Sequence, residues 1–270
     1  MLRVINVENV SVKKNGYILL NDLTFEVRMG TFVSIIGGNG SGKSTLIRLL
    51  VGLEKYNGFI NINGYFFDDD SKYDILSGVS VVFDELNSEL LGITVKDCLM
   101  LGLVGLGKSK VYIDKKINEI CQLFKIDKMI LNKKIVLLDN ALRQRLLIAS
   151  AVITEPTILL LDDCMHQLSI NERNNIISIL NKLKKDKKMS IIMVTHDMND
   201  VLKSDRVLVM NNGSIVMDGS VKSVFKQKDK LLNYGLQLPI VVDLSLMLMK
   251  RGKISNIYLN ERKLVDALWK

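Results

Sequence analysis

The residues best suited to chemistry lie in one glycine-rich run, GGNGSGKST, at positions 37–45. The spacing Gly37-x4-Gly42-Lys43-Ser44 is typical of a loop that wraps the phosphates of a nucleotide. Glycines let backbone N–H groups turn inward onto phosphate oxygens, the Lys43 ammonium can reach the β- and γ-phosphates, and the Ser44 hydroxyl can bind Mg²⁺. We therefore predict a nucleotide site formed by consecutive residues: Gly37, Gly38, Asn39, Gly40, Ser41, Gly42, Lys43, Ser44 and Thr45.

Two adjacent acids form a second reactive group. They end the apolar run TILLLDD at 157–163. An acid at the end of a buried strand can hold Mg²⁺ through water, and we predict this role for Asp162. Asp163 then stands where a catalytic base would face the attacking water. The alternative is that both acids only end a strand at a turn.

A histidine ends another apolar run, MSIIMVTHD at 189–197. Ligands bind outside the carboxyl ends of parallel strands in α/β folds, so His196 is predicted to contact the γ-phosphate. His166 has no comparable setting and is expected to be a surface residue.

Positioning these groups requires a sheet with helices around it. Strand-like apolar runs alternate with helical patterns, which predicts an α/β fold with a parallel sheet covered on both faces. A mostly helical stretch at about 94–154 suggests a subdomain, and a hairpin is predicted around Asn212-Gly213. The predicted strands are 3–12, 31–37, 59–64, 79–83, 157–163 and 189–197, and the predicted helices include 44–53, 170–188 and short helices in the last fifty residues.

The composition sets limits on the class of protein. The chain has 270 residues, is 48% hydrophobic, and carries a formal net charge of +8. This charge fits either a solvated basic surface or a polyanionic partner. Aromatic residues make up only 6% and do not alternate with basic ones, which argues against a nucleic-acid stacking surface.

We find no apolar run of membrane-spanning length and no signal-peptide pattern. The three cysteines are scattered along the chain, which indicates reduced thiols.

Taken in order, these motifs resemble those of an ATP-binding cassette (ABC) ATPase. The resemblance covers about residues 3–225 and rests on GGNGSGKST, VVFDE, LDNALRQR before ILLLDD, VTHD and VMNNGSIVMDGS. It implies an α/β P-loop ABC ATPase fold, with a mixed sheet core, an antiparallel layer and a helical subdomain at about 84–154. It also implies a nucleotide-binding domain at 1–225 that uses ATP and Mg²⁺.

The C-terminal segment resembles a more specific group. LLNYGLQLPIVVDLSLMLMKRG at 231–252 is similar to the helical extension of energy-coupling factor (ECF) transporter ATPases. The resemblance implies that residues 226–270 help two ATPase subunits to associate, although the helix could simply pack on its own domain. It also implies a second ABC ATPase subunit, a transmembrane T component, a substrate-binding S component that takes a vitamin or metal ion, and a peripheral location on the cytoplasmic face of the membrane.

Several positions depart from the ABC pattern. The usual signature Leu-Ser-Gly-Gly-Gln is replaced by LDNAL at 138–142, so a carboxylate, Asp139, stands where a serine would face the γ-phosphate of a partner's ATP. Asp84 replaces a glutamine that links metal and γ-phosphate to the membrane subunit, but it can still bind a metal.

Asp163 replaces the catalytic glutamate and is one methylene shorter. Lys13 or Lys14 stands near the usual adenine-stacking aromatic, and Leu168-Ser169 replaces Leu-Asp after the acids.

The prediction is therefore an ATP- and Mg²⁺-binding importer subunit that is the degenerate half of a heterodimeric ATPase. Two alternatives stay open: a non-hydrolysing structural subunit of the same complex, and a soluble non-transport ABC protein. The apolar stretch at about 84–106, with Leu90 and Leu91, is predicted to receive a transmembrane partner, although these leucines could instead form core.

Overall fold

The computed structural model describes residues 2–67, 72–83 and 93–269. Its strands lie in two sheets. They are β1 Arg3–Lys14, β2 Tyr17–Arg28, β3 Phe32–Gly37, β4 Asn57–Ile62, β5 Tyr65–Phe66, β6 Val79–Val82, β7 Ile158–Asp162, β8 Ser190–Val194, β9 Arg206–Asn211 and β10 Ser214–Ser220.

The larger sheet carries the candidate site. It has six strands in the order β10-β9-β3-β8-β7-β6, and all neighbouring pairs are parallel except β9 with β10. Every residue of β3, β7 and β8 is buried, as expected for strands covered on both faces. The second sheet is antiparallel, in the order β2-β1-β4-β5. The predicted mixed sheet with an added antiparallel layer is confirmed.

The helices surround this sheet. They are α1 Lys43–Leu50, α2 Lys72–Ser77, α3 Val95–Gly105, α4 Lys110–Phe124, α5 Asn140–Val152, α6 Ile170–Lys187, α7 Met198–Val201, α8 Val221–Phe225, α9 Lys228–Asn233, α10 Ile240–Lys250 and α11 Glu261–Leu268. The helix predicted at 170–188 is present as α6, and one of its faces is apolar: Ile176 and Leu180 are buried, and Ile179 and Leu183 pack against the same core.

Three hydrophobic cores hold the layers together. One joins α3, α4, α5 and α6 to one face of the large sheet. A second fills the space between the two sheets and α1. The third joins β9 and β10 to the C-terminal helices. Each face of the large sheet is therefore anchored, and its carboxyl edge is a fixed platform for loops.

The C-terminal segment packs on its own domain. Val241 and Val242 of α10 are buried in the third core together with Ile36 of β3. Ile240, Leu244 and Met247 lie on the same helix and stay exposed. The packing expected of an ordinary amphipathic helix is thus present, and an apolar stripe remains that could serve association.

Asp84, Leu90 and Leu91 lie outside the described residues. The predicted docking of a transmembrane partner on these leucines therefore stays a prediction.

Among the residues that the structure describes, no helix has both the length and the hydrophobicity needed to cross a bilayer.

Candidate nucleotide site

The glycine-rich loop connects β3 to α1 at the carboxyl edge of the large sheet. A Cβ on Gly37 would lie 2.3 Å from the Met210 carbonyl oxygen, so only glycine fits where the loop leaves β3. Gly42 has φ +101° and begins α1, and a Cβ there would lie 2.8 Å from Leu20. The sequence pattern therefore fixes a loop path that side chains would block.

The β9–β10 hairpin is hydrogen-bonded to this loop. The backbone N–H of Gly213, in the hairpin turn, donates to the Ser41 carbonyl oxygen at 3.0 Å. The Gly213 carbonyl oxygen in turn accepts from Asn21 N–H at 2.9 Å. The loop is thus tied to both sheets, and a hairpin about 170 residues away in the chain holds it in place.

Lys43 is folded onto the loop that it belongs to. Its ammonium group donates to the carbonyl oxygens of Gly37 at 2.9 Å and Gly38 at 2.8 Å, and the residue is only 6% exposed. Burial lowers the pKa of Lys43, while the negative charges of Asp163 and Asp162 oppose that shift. A buried cation held by carbonyl dipoles is a ready binding partner for a phosphate group.

The N-terminus of α1 faces the same space. Among the described residues, no side chain caps it, and its first turn carries no acid. Its first backbone N–H groups therefore lack an intrahelical acceptor and, together with the helix dipole, favour an anion.

The two acids lie at the carboxyl end of β7 as predicted, Asp162 as its last residue and Asp163 directly after it, and each has a partner across the site. The Ser44 hydroxyl donates to Asp162 Oδ1 at 3.0 Å, although 118 residues separate them. His196 Nε2 lies 3.6 Å from Asp163 Oδ2. A cleft of about 680 Å³ is lined by the loop, Asp162, Asp163 and His196. Residues from three motifs thus meet in one cleft.

The Ser44–Asp162 pair is suited to Mg²⁺. A hydroxyl oxygen and a carboxylate oxygen are hard ligands of the kind that Mg²⁺ prefers. Their 3.0 Å separation places both on one side of the cleft, beside the first turn of α1. These residues fit the metal that the sequence pattern implies. The third predicted ligand, Asp84, lies outside the described part of the chain.

Asp163 has an unusual backbone. Its φ is +49°, and its N–H donates to the Val194 carbonyl oxygen at 3.1 Å. Aspartate tolerates this left-handed region better than most residues.

His166, predicted to be at the surface, is exposed, with Nδ1 3.0 Å from the Asp163 carbonyl oxygen.

The degenerate signature loop ends in a capped helix. Asp139 is the N-cap of α5, and its carboxylate accepts from Leu142 N–H at 2.8 Å. Arg143 donates to the Leu138 carbonyl oxygen at 2.8 Å and holds the chain entering the helix. The N-terminus of α5 thus already carries an anion of its own, in contrast to that of α1.

Lys13 and Lys14 stand where the ABC pattern has an adenine-stacking aromatic, and an aromatic residue lies across the β1–β2 hairpin from them. Tyr17 pairs with Lys14 in the β1–β2 ladder and is 75% exposed, and the next residue, Ile18, lines the cleft. Tyr17 was not predicted as a site residue, because β2, the strand that begins with it, was not predicted. The available signal was Asn15-Gly16, a strong hairpin dipeptide between two apolar runs.

Comparison with known proteins identifies the family. The model of the ABC transporter family matches residues 20–166, which is more than half of the chain. The energy-coupling factor transporter ATP-binding protein EcfA1 of Streptococcus mutans is 35% identical over 252 residues, covering 93% of this chain and 90% of that protein. The chain belongs to the ECF transporter ATP-binding proteins of the ABC family. EcfA1 of Ligilactobacillus salivarius is also similar, at 31% identity over 98% of this chain and 95% of its own length.

Solved structures of ABC ATPases have the same fold. The cbiO1 protein of Clostridium perfringens, part of the ABC transporter complex cbiONQ, matches with a TM-score of 0.76 and 25% identity over 92% of this chain and 99% of its own. The ATP-binding cassette MJ0796, in a dimeric post-hydrolysis state with ADP and phosphate, matches with a TM-score of 0.74 and 26% identity over 80% of this chain and 98% of its own. This ECF family member is therefore an ABC-class ATPase subunit, and its ABC domain implies that it binds a nucleotide.

Proposed function

We propose that this ECF family member binds ATP and Mg²⁺ and powers a membrane importer as the degenerate half of a heterodimeric ATPase. One observation carries the proposal: the loop, the Ser44–Asp162 pair and the Asp163–His196 pair all face one cleft of about 680 Å³. A phosphate chain, its metal and an attacking water require these groups together.

Each side chain has a role that follows from its place. Lys43 and the open N-terminus of α1 bind the β- and γ-phosphates, and Ser44 with Asp162 would hold Mg²⁺, which neutralises phosphate charge when bound. Asp163 orients the water and accepts its proton. His196, whose side chain is 47% exposed and next to Asp163, is free to contact the γ-phosphate.

The two ATP sites of a head-to-tail pair would be unequal. The site that uses this glycine-rich loop receives the signature loop of the partner. The site that uses this chain's signature loop faces Asp139, whose carboxylate already occupies the N-terminus of α5. A carboxylate and a phosphate at one helix N-terminus repel each other, so the site that faces Asp139 binds ATP poorly.

This asymmetry favours a distinct partner over a second copy of the chain. In a homodimer both sites would contain Asp139, whereas a second ABC ATPase with a Ser-Gly-Gly signature leaves one site intact. The S. mutans and L. salivarius relatives are named for the same transporter class. We therefore propose a T component and an S component as the membrane partners, and a peripheral position on the cytoplasmic face.

ATP turnover measured with and without a second ECF-type ATPase tests the proposal. The chain alone should hydrolyse ATP slowly, and the pair bound to its membrane subunits should hydrolyse it faster. A Lys43→Ala chain in the same pair is the control. Equal turnover with the wild-type and Lys43→Ala chains would favour the alternative of a non-hydrolysing structural subunit. Recovery with ribosomes and not with membranes would favour the soluble alternative.

A further inference from the structure

A second cavity lies on the other side of His196. It has a volume of about 500 Å³. Its lining includes His196, Asp197, Asp200, Arg173 of α6, the turn at 237–239 and Ile240 at the start of α10. Asp197 ends the VTHD motif, but neither it nor Arg173 or Asp200 has been given a role in the nucleotide site. The cavity wall includes several charged groups beside apolar ones, and partly buried charges are costly unless they pair.

Arg173 pairs with two of these acids. Its Nη1 lies 2.6 Å from Asp197 Oδ2 and 3.6 Å from Asp200 Oδ2. Asp197 also caps α7 by accepting from Asn199 N–H at 2.8 Å. One guanidinium group therefore joins α6 to the N-cap of α7 and to Asp200 within α7.

The same network holds both neighbours of His196. Thr195 is buried, and its hydroxyl donates to Asp200 Oδ2 at 3.4 Å and accepts from Asp197 N–H at 3.1 Å. Asp197, on the other side, is held by Arg173. The His196 side chain is thus partly exposed, but the backbone that carries it is fixed at both flanking residues.

We propose that Arg173 is a positioning residue that sets the orientation of His196 toward the γ-phosphate, acting through Asp197, Asp200 and Thr195. The proposal rests on the proposed function, since it needs His196 to contact nucleotide. It assigns no contact between Arg173 and nucleotide. A misplacement of about 1 Å at a reacting group can cost about a hundredfold in rate, so a positioning residue can act strongly at a distance.

The network also predicts a pH dependence. Burial raises the pKa of Asp200 to about 6; Arg173 opposes the shift, Asp197 adds to it, and Thr195 and Lys203 oppose it. Because the folded pKa is above the usual value, Asp200 is neutral below about pH 6 and Arg173 then loses one of its two carboxylate partners. Activity that depends on the network should therefore fall as the pH drops through this window.

The first test uses the isolated full-length chain and needs no activity. The chain has two histidines, so the imidazole Hε1 protons give two NMR resonances, which a His166→Gln variant assigns. Arg173→Met should shift the His196 resonance. Lys184→Met is the matched control, because Lys184 is a similarly buried cation on α6. It pairs with Asp205 at 2.8 Å, and neither residue lines the cavity. An identical His196 resonance in wild type and Arg173→Met would overturn the proposal.

The second test measures kcat and Mg-ATP affinity in the assembled complex. Arg173→Met should lower kcat by about tenfold or more and leave Kd for Mg-ATP nearly unchanged, with Arg173→Lys intermediate and Lys184→Met near wild type. Equal kcat in Arg173→Met and Lys184→Met would reject the positioning role. Absent turnover in the wild type would instead reject the proposed function.

The third test uses Asp200→Asn, which keeps the shape and should fold even if Arg173→Met does not. The ratio of wild-type to Asp200→Asn kcat should rise from about one near pH 5 to a plateau near pH 7, one unit on either side of the Asp200 pKa of about 6. A ratio that does not change with pH would overturn the inference.

Discussion

Replacing Asp139 with asparagine should separate the structural role of this residue from its effect on ATP. Asp139 accepts from Leu142 N–H at 2.8 Å and caps α5. Asparagine caps a helix about as well as aspartate, so the cap and the shape are kept while the negative charge is removed. The loss of charge at the helix N-terminus should cost no more than about 1 kcal/mol of unfolding free energy.

The effect on the ATP-bound pair should be larger and of opposite sign. A carboxylate about 6 Å from one phosphate charge, at an effective dielectric of about 20, is repelled by about 3 kcal/mol. Since about 1.4 kcal/mol corresponds to a factor of ten, Asp139→Asn should tighten ATP-dependent association of the two ATPase subunits by about ten- to hundredfold, the lower value applying where salt screens the site.

The assay measures the Kd for association of the two subunits in the presence of Mg-ATP, with a hydrolysis-deficient partner. The thermal unfolding of each chain is measured in parallel. Asp139→Ser should tighten the pair in the same way, because serine also caps and is neutral. Asp139→Ala removes the cap, costs about 1 kcal/mol of stability and controls for helix fraying. If neither Asp139→Asn nor Asp139→Ser strengthens association, the Asp139 charge is not what weakens the second site.

The other predictions concern the glycine-rich loop and the base. Lys43→Ala should abolish or greatly weaken Mg-ATP binding, because it removes the ammonium group that the loop carbonyls hold in place; unchanged affinity in calorimetry would remove this assignment. Asp163→Glu should raise kcat in the assembled complex by restoring one methylene of reach, and Asp163→Asn should lower it. The φ of +49° favours aspartate over glutamate, so Asp163→Glu should also lower the melting temperature slightly, and equal kcat in all three proteins would show that Asp163 does no chemistry.

The sequence predicted the parts of the site that are written as continuous patterns. The glycine loop, TILLLDD and VTHD each place their chemical residues at the end of an apolar strand, and parallel strands bring those ends to one edge. The Ser44–Asp162 and Asp163–His196 contacts follow from that geometry. The helical insert and the hairpin at Asn212-Gly213 were also predicted, although their bounds shifted by a few residues.

The remaining features depend on contacts between distant segments. The support of the glycine loop by Gly213 joins a hairpin turn to a loop far away in the chain, and no local pattern marks it. The strand β2 was missed although Asn15-Gly16 marks its hairpin, and α9 is too short to show a clear period. The Arg173 network joins α6 to α7 through side chains alone, so only the tertiary structure shows it.

The central claim is that this ECF family member is an ATPase subunit whose own signature loop is degenerate and whose partner supplies the intact one. The most direct measurement is single-site turnover in the assembled pair, with the glycine-loop lysine of either subunit replaced by alanine. We expect that Lys43→Ala in this chain removes most of the hydrolysis, whereas the equivalent change in the partner removes little, because the partner's ATP faces Asp139. If the partner change removes most of the hydrolysis and Lys43→Ala removes little, the site facing Asp139 is the productive one, and the proposed asymmetry is wrong.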